Sequence, residues 1–217
     1  MKDTMSSNKV LITGASGGLG SQMALYFSKK GHSIILHGTN EDKLRKIHNI
    51  IIKNGGSAKY IAANLNIEDD ISLLCDFAKK EDVRILINNA GIICPNLPFK
   101  KIDSKIIGQM INVNLIAPIK IINALADNLE NIVNINSMSG IEARKNRSIY
   151  AASKWGLKGF SDCFKQEEEV CKILDVYPTN IKTWPERENA MEMDYVLDCI
   201  YNAINQNKSE LILDGRK

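Results

Sequence analysis

Val10-Leu-Ile-Thr-Gly-Ala-Ser-Gly-Gly-Leu-Gly20 decides the fold of this chain, because a short apolar run passes directly into a glycine-rich turn. A helical pattern over residues 19–30 follows the turn. Glycines at positions 14, 18 and 20 allow the backbone to turn sharply and to approach a ligand closely. Free N–H groups and the positive end of the helix dipole at such a turn favour an anion. The stretch therefore predicts a strand, a phosphate-binding turn and a helix.

Short β-branched runs alternate with longer helical patterns along the rest of the chain. The predicted strands cover residues 10–13, 33–37, 58–62, 85–87, 132–135, 173–176 and 210–214. Such alternation is typical of βαβ units around a parallel sheet, and right-handed crossovers place helices on both of its faces. We expect an α/β fold, a doubly wound parallel sheet (Rossmann fold) of about seven strands, as one domain over residues 1–217.

The composition limits the classes of function. With 44% hydrophobic and 24% charged residues, the 217-residue chain resembles ordinary globular proteins and not disordered ones. A net charge of +3, with scattered Lys and Arg residues, does not indicate a nucleic-acid partner. No apolar run reaches the roughly 20 residues of a membrane span, and the first nine residues lack the apolar part of a signal peptide. We expect a cytoplasmic protein without a membrane or nucleic-acid partner.

Cysteine and histidine positions do not indicate a metal site. The five cysteines form no Cys-x-x-Cys pair, and no His stands at ligand spacing from them. We therefore expect no metal, reduced cysteines that serve packing, and histidines on the surface or in the core. These residues are Cys75, Cys94, Cys163, Cys171, Cys199, His32, His37 and His48.

The glycine turn fits a dinucleotide better than a nucleoside triphosphate. A glycine-rich loop alone would also suit an ordinary strand-to-helix connection, and this one lacks the closing Lys-Ser or Lys-Thr of a P-loop. The second strand ends in His37-Gly-Thr-Asn40, with no acid before Glu41 to bind a ribose 2′-OH. Thr39 and Asn40 can donate hydrogen bonds to a 2′-phosphate, which basic residues nearby can attract, namely Lys43 or Arg45. We expect NADP(H) to be favoured over NAD(H).

A second group of polar residues lies in the second half of the chain. Tyr150 and Lys154 stand one helical turn apart, and Ser137 precedes Tyr150 by thirteen residues. A tyrosine has an unperturbed pKa of about 10, so one that transfers protons needs a nearby cation to stabilise its phenolate. Taken singly, these residues would also suit an exposed helical pair and a strand-end turn. Their combination with the glycine turn indicates a dehydrogenase.

Over nearly its whole length the chain resembles the classical short-chain dehydrogenase/reductase (SDR) family. Thr13-Gly-x-x-x-Gly-x-Gly20 is similar to the family's cofactor turn, and Asn88-Asn-Ala-Gly91 is similar to the motif after its fourth strand. The family's catalytic tetrad is matched by Asn114, Ser137, Tyr150 and Lys154. Asn114 alone would also suit a helix break or cap, but the four residues in family order favour the catalytic interpretation.

The resemblance implies an oxidoreductase that transfers a hydride between NADP(H) and a carbonyl or alcohol substrate. Tyr150 would be the general acid/base and Ser137 would bind the substrate oxygen. Lys154 would hold the nicotinamide ribose and lower the pKa of Tyr150, while Asn114 would support a water in a proton relay. The residues expected to bind the cofactor are Gly14, Ser16, Gly18, Leu19, Gly20, Thr39, Asn40, Asn64, Leu65, Asn89, Ala90, Gly91, Tyr150, Lys154, Pro178, Ile181 and Thr183.

The chain departs from the family pattern in two places. Thr179 follows Pro178 where the family usually has glycine, which is expected to shift the loop that contacts the nicotinamide. Residues 184–190 form a minimal substrate lid where relatives often have a longer one. An open cleft predicts a bulky or polymer-attached carbonyl, or a lid supplied by a partner subunit. The expected substrate contacts are Ile93, Cys94, Met138, Ile141, Arg144 and Arg147, the two arginines suiting an anionic substrate.

Two other functions compete with an oxidoreductase. A catalytically weak or inactive NAD(P)-binding sensor or scaffold would agree with the short lid and Thr179, but the intact tetrad argues against it. A sugar-nucleotide epimerase or dehydratase uses a similar tyrosine and lysine, but such relatives typically carry a longer C-terminal substrate domain. The family commonly assembles through two helices, and the apolar residues 115–129 and the Tyr150 helix predict a homodimer or homotetramer here.

Overall fold

A computed structural model of the chain describes residues 8–93, 96–167, 171–183 and 188–216. The strands are β1 (Lys9–Ile12), β2 (Ser33–Gly38), β3 (Ala58–Ala62), β4 (Ile85–Asn88), β5 (Asn131–Ile135), β6 (Lys172–Thr179) and β7 (Glu210–Asp214). The α-helices are α1 (Gly18–Lys29), α2 (Glu41–Lys53), α3 (Glu68–Lys80), α4 (Ser104–Ile111), α5 (Ala117–Leu125), α6 (Ser148–Glu167) and α7 (Met193–Asn205).

The seven strands form one sheet in the order β3-β2-β1-β4-β5-β6-β7, and every neighbouring pair is parallel. The order reverses at β1, which pairs with β2 on one side and with β4 on the other. At such a switch point the loops at the carboxyl ends of the strands diverge and leave a crevice for a ligand. The predicted doubly wound parallel sheet is confirmed.

Helices cover both faces of the sheet because successive side chains of a strand point to opposite faces. In β1, Ile12 packs in one cluster with Phe27 of α1, whereas Leu11 packs in the other cluster with Leu74 of α3. The central strands are therefore apolar on both sides, which is the pattern of a parallel sheet buried between helices. Because helices pack on both faces, the carboxyl ends of the strands, which carry the site, are held in fixed positions.

The helical region after β4 begins well before the apolar stretch 115–129. A π-helical turn, Asn112–Ile116, joins α4 to α5, and the continuous helical segment covers Ser104–Asn128. By length and composition alone this segment is apolar enough to span a membrane. The sequence does not reveal this as one uninterrupted apolar run, because polar residues interrupt the segment. Its buried side, with Ala117, Ile121 and Leu125, packs in the core. The apolar residues on that side therefore serve packing against the sheet.

The cysteines and histidines of the described residues lie mainly in the core. His32 and His37 are buried, and so are Cys75 and Cys171. Cys163 is an exception to the predicted packing role, because it lies on the exposed side of α6.

The predicted substrate lid is only partly within the described residues. Residues 184–187 lie outside them, and so does Cys94, a predicted substrate contact. A β-bridge between Ile181 and Met191 brings the two ends of this segment together. The helix α7 begins at Met193, two residues after Met191 of that bridge.

A buried polar network ties α6 to the middle of the sheet. The fully buried carboxylate of Asp175, in β6, accepts hydrogen bonds from Asn134 Nδ2 at 3.2 Å and Ser161 Oγ at 3.0 Å. Lys165 Nζ donates to the same carboxylate at 2.8 Å. Burial raises the pKa of Asp175, and its bond with Lys165 is the strongest opposing influence. The network therefore holds one end of α6 against β5 and β6.

Removal of the Lys165 charge is expected to destabilise the fold. Lys165→Met leaves the Asp175 carboxylate buried without its cation, at a cost of about 3 kcal/mol, the low end for a broken buried pair because Lys165 is partly exposed. The folded-state pKa of Asp175 is raised, so folding favours its protonated form and the penalty develops as the pH rises through that pKa. The deficit should therefore shrink at acidic pH, which urea unfolding at two pH values measures.

The matched control is Lys158→Met in the same helix. Lys158 pairs with Asp162 and Glu210, whose side chains are nearly half exposed. Loss of such a surface pair should cost less than about 1 kcal/mol. Equal losses of stability in the two variants would contradict a structural role for the buried pair.

Candidate active site

The glycine turn joins β1 to α1 in a geometry that suits an anion. Gly14 has a φ of 68°, in the left-handed region that favours glycine. Gly17 is the N-cap of α1 and makes no side-chain hydrogen bond to it. The first turn of α1, which the structure describes in full, contains no acidic residue. The first N–H groups of a helix have no acceptor within the helix. The turn therefore presents N–H donors and the positive end of the helix dipole to one side.

Asn89 and Thr13 hold this turn against the end of β4. The Asn89 side chain donates to the carbonyl of Thr13 at 2.8 Å and of Gly14 at 3.2 Å. The Thr13 hydroxyl accepts from the backbone N–H groups of Asn89 and Ala90, both at 3.0 Å. At Gly20 a Cβ would lie 2.3 Å from Gly14 O and 2.6 Å from Asn89 Nδ2. Two motifs that are far apart in the sequence thus form one unit.

A cavity of about 440 Å³ lies beside this unit, at the carboxyl ends of β1, β2 and β4. Many of the predicted cofactor residues line it: Gly14, Ser16, Gly18, Leu19, Gly20, Thr39, Asn64, Leu65, Asn89, Ala90 and Gly91. Sequence reasoning missed the others: Gly17, His37, Gly38, Asn66, Ile92 and Val113. Most of these directly adjoin predicted residues, and that adjacency is the signal that points to them.

His37 and Gly38 form the wall of the cavity at the end of β2. His37 Nε2 lies 3.1 Å from the carbonyl oxygen of Ala63, and burial lowers the pKa of His37 to about 4. The imidazole is therefore neutral at neutral pH. A Cβ at Gly38 would lie 2.5 Å from the Ser16 hydroxyl oxygen, so this wall allows close approach of the glycine turn.

Asn40 and Arg45 are engaged within α2. The Asn40 side-chain oxygen accepts from the backbone N–H of Lys43 at 2.9 Å and so caps the helix. Arg45 forms ion pairs with Glu41 at 3.2 Å and Asp42 at 3.5 Å. Asn40 does not belong to the residues that line the cavity. Of the residues predicted to favour a 2′-phosphate, Thr39 lies in the cavity wall and Arg45 is compensated by acids.

Asn114 connects the end of β4 to α6. Its side chain accepts from the N–H of Ile92 at 2.7 Å and donates to the carbonyl of Ile92 at 2.8 Å. It also donates to Ser153 Oγ at 3.2 Å, and Ser153 in turn donates to the carbonyl of Tyr150 at 2.8 Å. Asn114 is buried in the π-helical turn, a form that is frequent at functional sites.

Ser137, Tyr150 and Lys154 meet at the carboxyl end of β5. The side chains of Ser137 and Tyr150 share a hydrogen bond. Lys154 Nζ donates to the carbonyl of Ile135 at 2.8 Å and lies 5.9 Å from the centre of the Tyr150 ring. With Asn114 bonded through Ser153 to the same helix, the structure brings together four residues predicted from separate parts of the chain.

Burial shifts the two ionisable groups in opposite senses. Desolvation raises the pKa of Tyr150, against smaller influences of the Ser137 hydrogen bond and the Arg147 charge. Desolvation lowers the pKa of Lys154 to about 8. The sequence predicts that Lys154 lowers the pKa of Tyr150, but its ammonium group is directed at Ile135 O and burial dominates. Tyr150 is therefore protonated at neutral pH.

Pro178, Ile181 and Thr183 lie at and beyond the end of β6. Thr183 contacts the glycine turn, since a Cβ at Gly18 would lie 3.4 Å from Thr183 O and 3.5 Å from Thr183 Cβ. The side chain of Ile181 is buried in the core. Pro178 is half-buried. The three residues do not line the cavity described above.

The predicted substrate contacts differ in their surroundings. Arg144 is paired with Glu142 at 3.3 Å, and Glu142 also accepts two hydrogen bonds from Arg216 at 3.0 and 3.1 Å. Arg147 lies close enough to Tyr150 for its charge to lower that pKa. Arg147 is therefore the arginine nearer to the site. The apolar candidates range from exposed to buried, in the order Ile93, Ile141 and Met138.

The chain matches proteins of one family. A family model described as short chain dehydrogenase matches residues 8–193. Nodulation protein G of Rhizobium sp. (strain N33) is 32% identical over 170 residues, which cover 75% of this chain and 68% of that protein. The 3-oxoacyl-[acyl-carrier-protein] reductase FabG of Rickettsia felis (strain ATCC VR-1525 / URRWXCal2) is 34% identical over 161 residues, which cover 72% of this chain and 65% of that protein.

Solved structures have the same fold. A metagenomic short-chain oxidoreductase (SDR) in complex with NADP gives a TM-score of 0.83 at 26% identity, with 96% of this chain and 97% of that chain covered. A short-chain dehydrogenase from Sphingobium yanoikuyae in complex with NADPH gives a TM-score of 0.84 at 24% identity, with 94% and 87% covered.

Loss of the Asn114 side chain is expected to loosen the link between the cavity wall and α6. Asn114→Ala leaves the N–H and C=O groups of Ile92 without the amide that satisfies both, at a cost of about 1–3 kcal/mol. Urea unfolding measures the loss, and amide hydrogen exchange should rise at Ile92. Asn112→Ala, at an exposed position of the same π-helical turn, should cost less than about 0.5 kcal/mol. An equal cost at both positions would argue against the link.

Proposed function

The chain belongs to the short-chain dehydrogenase family, and from this premise we propose that it transfers a hydride between NADP(H) and a carbonyl or alcohol substrate. Tyr150 is the general acid/base in this proposal. The observation that carries it is the bond between the Ser137 and Tyr150 side chains beside a buried lysine, Lys154. Buried ionisable groups with shifted pKa values cluster at functional sites, and these lie at the edge of the sheet where the cavity opens.

The residues around the cavity fit a dinucleotide. The N–H groups at the start of α1 would hold the pyrophosphate, and a Cβ at Gly14 would lie 2.8 Å from Ala90 Cα, so the cradle tolerates only glycine there. A bound nicotinamide would supply or accept the hydride. Contacts along the rest of the cofactor would come from Ser16, Gly18, Leu19, Gly20, Thr39, Asn40, Asn64, Leu65, Asn89, Ala90, Gly91, Tyr150, Lys154, Pro178, Ile181 and Thr183.

The raised pKa of Tyr150 favours carbonyl reduction at neutral pH. A protonated tyrosine can donate its proton to a carbonyl oxygen as that oxygen gains negative charge. The reverse reaction needs the phenolate, which burial disfavours. Ser137 would hydrogen-bond the same substrate oxygen, and Asn114 would carry the proton relay from Lys154 through a water. The chain's own residues thus supply proton transfer and orientation.

NADP(H) is the cofactor that we propose over NAD(H). Support comes from the end of β2, where the first acid is Glu41, which forms an ion pair with Arg45. The imidazole of His37 in that wall is neutral at neutral pH and adds no negative charge that would repel a 2′-phosphate. The metagenomic relative with a solved structure binds NADP.

The substrate that we propose for this chain is a carbonyl or alcohol compound, and the open cleft favours one that is bulky or attached to a polymer. The reductase of Rickettsia felis is named for a 3-oxoacyl group on an acyl-carrier protein, which is such a carbonyl. The charge of Arg147 beside Tyr150 supports an anionic group on the substrate. The rival function, a sensor or scaffold without turnover, has less support, because it assigns no role to the hydrogen bond between the Ser137 and Tyr150 side chains.

Replacement of Tyr150 by phenylalanine tests the function directly. Tyr150→Phe removes the proton donor and keeps the ring, so NADPH-dependent reduction of ethyl acetoacetate or benzil should fall by about 100-fold or more. The affinity for NADPH, measured by fluorescence titration, should change by less than about 3-fold. The decrease in nicotinamide absorbance with time gives the rate.

Tyr60→Phe is the matched control, because Tyr60 lies in β3 and not in the site. It should retain the wild-type rate. Equal rates of wild type and Tyr150→Phe would favour the sensor or scaffold, and so would a wild-type protein that binds NADPH without reducing any carbonyl in a wide panel.

A charge at Thr39 tests the cofactor preference. Thr39→Asp places a carboxylate in the cavity wall that would repel a 2′-phosphate and accept from a ribose 2′-OH. The Kd of NADPH should rise by about 10-fold, equal to about 1.4 kcal/mol, while the Kd of NADH stays constant or falls. The neutral control Thr39→Asn should change either Kd by less than about 3-fold. A wild-type preference for NADH would overturn the assignment of NADP(H).

The remaining expectations stay predictions. A homodimer or homotetramer through the helical face of α5 and α6 would cover Trp155, which is half exposed, and Ile116. Sedimentation of the purified chain decides that point. The cytoplasmic location and the single domain over residues 1–217 likewise stay predictions.

A further inference from the structure

We propose that Asn136 is a positioning residue, which holds Ser137 and the Lys154 turn of α6 in the register that proton transfer needs. The inference rests on the proposed function and extends it to a residue outside the tetrad. Asn136 directly follows β5 and is 3% exposed. No motif in the sequence distinguishes it from a strand-end residue that merely precedes Ser137.

The side-chain amide of Asn136 bonds to the backbone of both Ser137 and Lys154. Asn136 Oδ1 accepts from the backbone N–H of Ser137 at 2.9 Å. Asn136 Nδ2 donates to the backbone carbonyl of Lys154 at 3.1 Å. Because the amide is planar and carries its donor and acceptor on one carbon, these two bonds fix the separation of Ser137 from the Lys154 backbone.

The backbone of Asn136 is itself anchored in the sheet. Its N–H donates to the carbonyl of Val176, in β6, at 2.8 Å. The carbonyl of Ile135, just before it, accepts from Lys154 Nζ at 2.8 Å. The end of β5 is therefore bonded to β6 on one side. On the other side it is bonded to both the main chain and the ammonium group of Lys154.

The Met138–Gly140 turn is folded tightly over this amide. A Cβ at Gly140 would lie 2.5 Å from Asn136 Oδ1 and 3.1 Å from Asn136 Cγ, well inside the normal contact distance. In the same turn the Ser137 hydroxyl oxygen accepts from the N–H of Ser139 at 3.1 Å. Because Ser137 Oγ is the acceptor in that bond, its hydroxyl proton can be donated to another group. The bond itself depends on the turn that the Asn136 amide supports.

Misplacement of a catalytic group by about 1 Å can cost about 100-fold in rate, whereas most of the proposed cofactor contacts line the cavity beside the glycine turn, away from Asn136. Loss of the amide should therefore act on kcat and spare NADPH binding. Asn136→Ala should lower kcat for NADPH-dependent reduction of ethyl acetoacetate by about 10-fold to 100-fold, with KM for NADPH within about 3-fold of wild type.

Gly140→Ala tests the same amide without changing Asn136. The added methyl group collides with Asn136 Oδ1, so the variant should show the same fall in kcat and the same unchanged KM for NADPH. The control is Gly108→Ala, since a Cβ at Gly108 meets nothing within 4 Å. It should keep the wild-type kcat.

Asn134→Ala controls for the burial of an asparagine on β5. Asn134 is fully buried, and its side chain makes three hydrogen bonds, with Ser161, Asp175 and Asn88, where that of Asn136 makes two. It should lower the melting temperature at least as much as Asn136→Ala and leave kcat within about 3-fold of wild type. If Asn134→Ala does not fold, Ser161→Ala replaces it. A fall in kcat that simply follows the melting temperature across all variants would overturn the inference.

Amide hydrogen exchange gives a readout that does not need turnover. In the wild-type protein without substrate, the Ser137 N–H is protected by Asn136 Oδ1, so its exchange should speed up by about 10-fold or more in Asn136→Ala and Gly140→Ala but not in Asn134→Ala. Unchanged exchange would overturn the bridge itself. An inactive wild type would overturn the proposed function, while faster exchange in the two variants would still support the bridge.

Discussion

The hydrogen bonds between Thr13 and Asn89 are the constraint on which the rest of the site depends. β1 and β4 are neighbours only because the strand order reverses between them, and at that point the loops after both strands must diverge. The Asn89 side chain, bonded to the carbonyls of Thr13 and Gly14, keeps the glycine turn at the end of β4. Together with the bond from Ala15 N–H to the carbonyl of His37 at 2.7 Å, this tie directs the N–H groups at the start of α1 toward the cavity.

Side-chain amides also hold the helix α6 in place. Asn114 bonds to Ile92 after β4 and to Ser153 in α6, and Asn136 bonds to Lys154. Farther along the helix, Asp175 bonds to Ser161 and Lys165. The helix that carries the tyrosine is therefore held at several turns by three polar side chains, which come from the π-helical turn, the end of β5 and β6. Each of these groups is buried, where a hydrogen bond is electrostatically stronger than in water.

The sequence predicts the strands, the glycine turn and the set of four polar residues, because each of these leaves a local pattern. Short motifs do not show which other contacts a side chain makes. Asn40 caps α2 through its side-chain oxygen, and Arg45 pairs with Glu41, in addition to the roles that the sequence predicts for them. The expectation that Lys154 lowers the pKa of Tyr150 omits burial, which no short motif reveals. Asn136 has no signal at all, since its partners lie one residue and eighteen residues away.

Polar contacts at α6 decide its register in a way that apolar packing would not. An α-helix turns by 3.6 residues with a rise of 1.5 Å per residue, so a slip of one residue would rotate Tyr150 and Lys154 well away from Ser137. Apolar contacts tolerate exchange of similar shapes, and Gly156 lets α6 pack closely on Leu115, since a Cβ there would lie 2.9 Å from Leu115 Cδ2. A hydrogen bond requires a defined direction. The amide of Asn136, with a donor for α6 and an acceptor for Ser137, therefore specifies a rotation of the helix that packing alone leaves open.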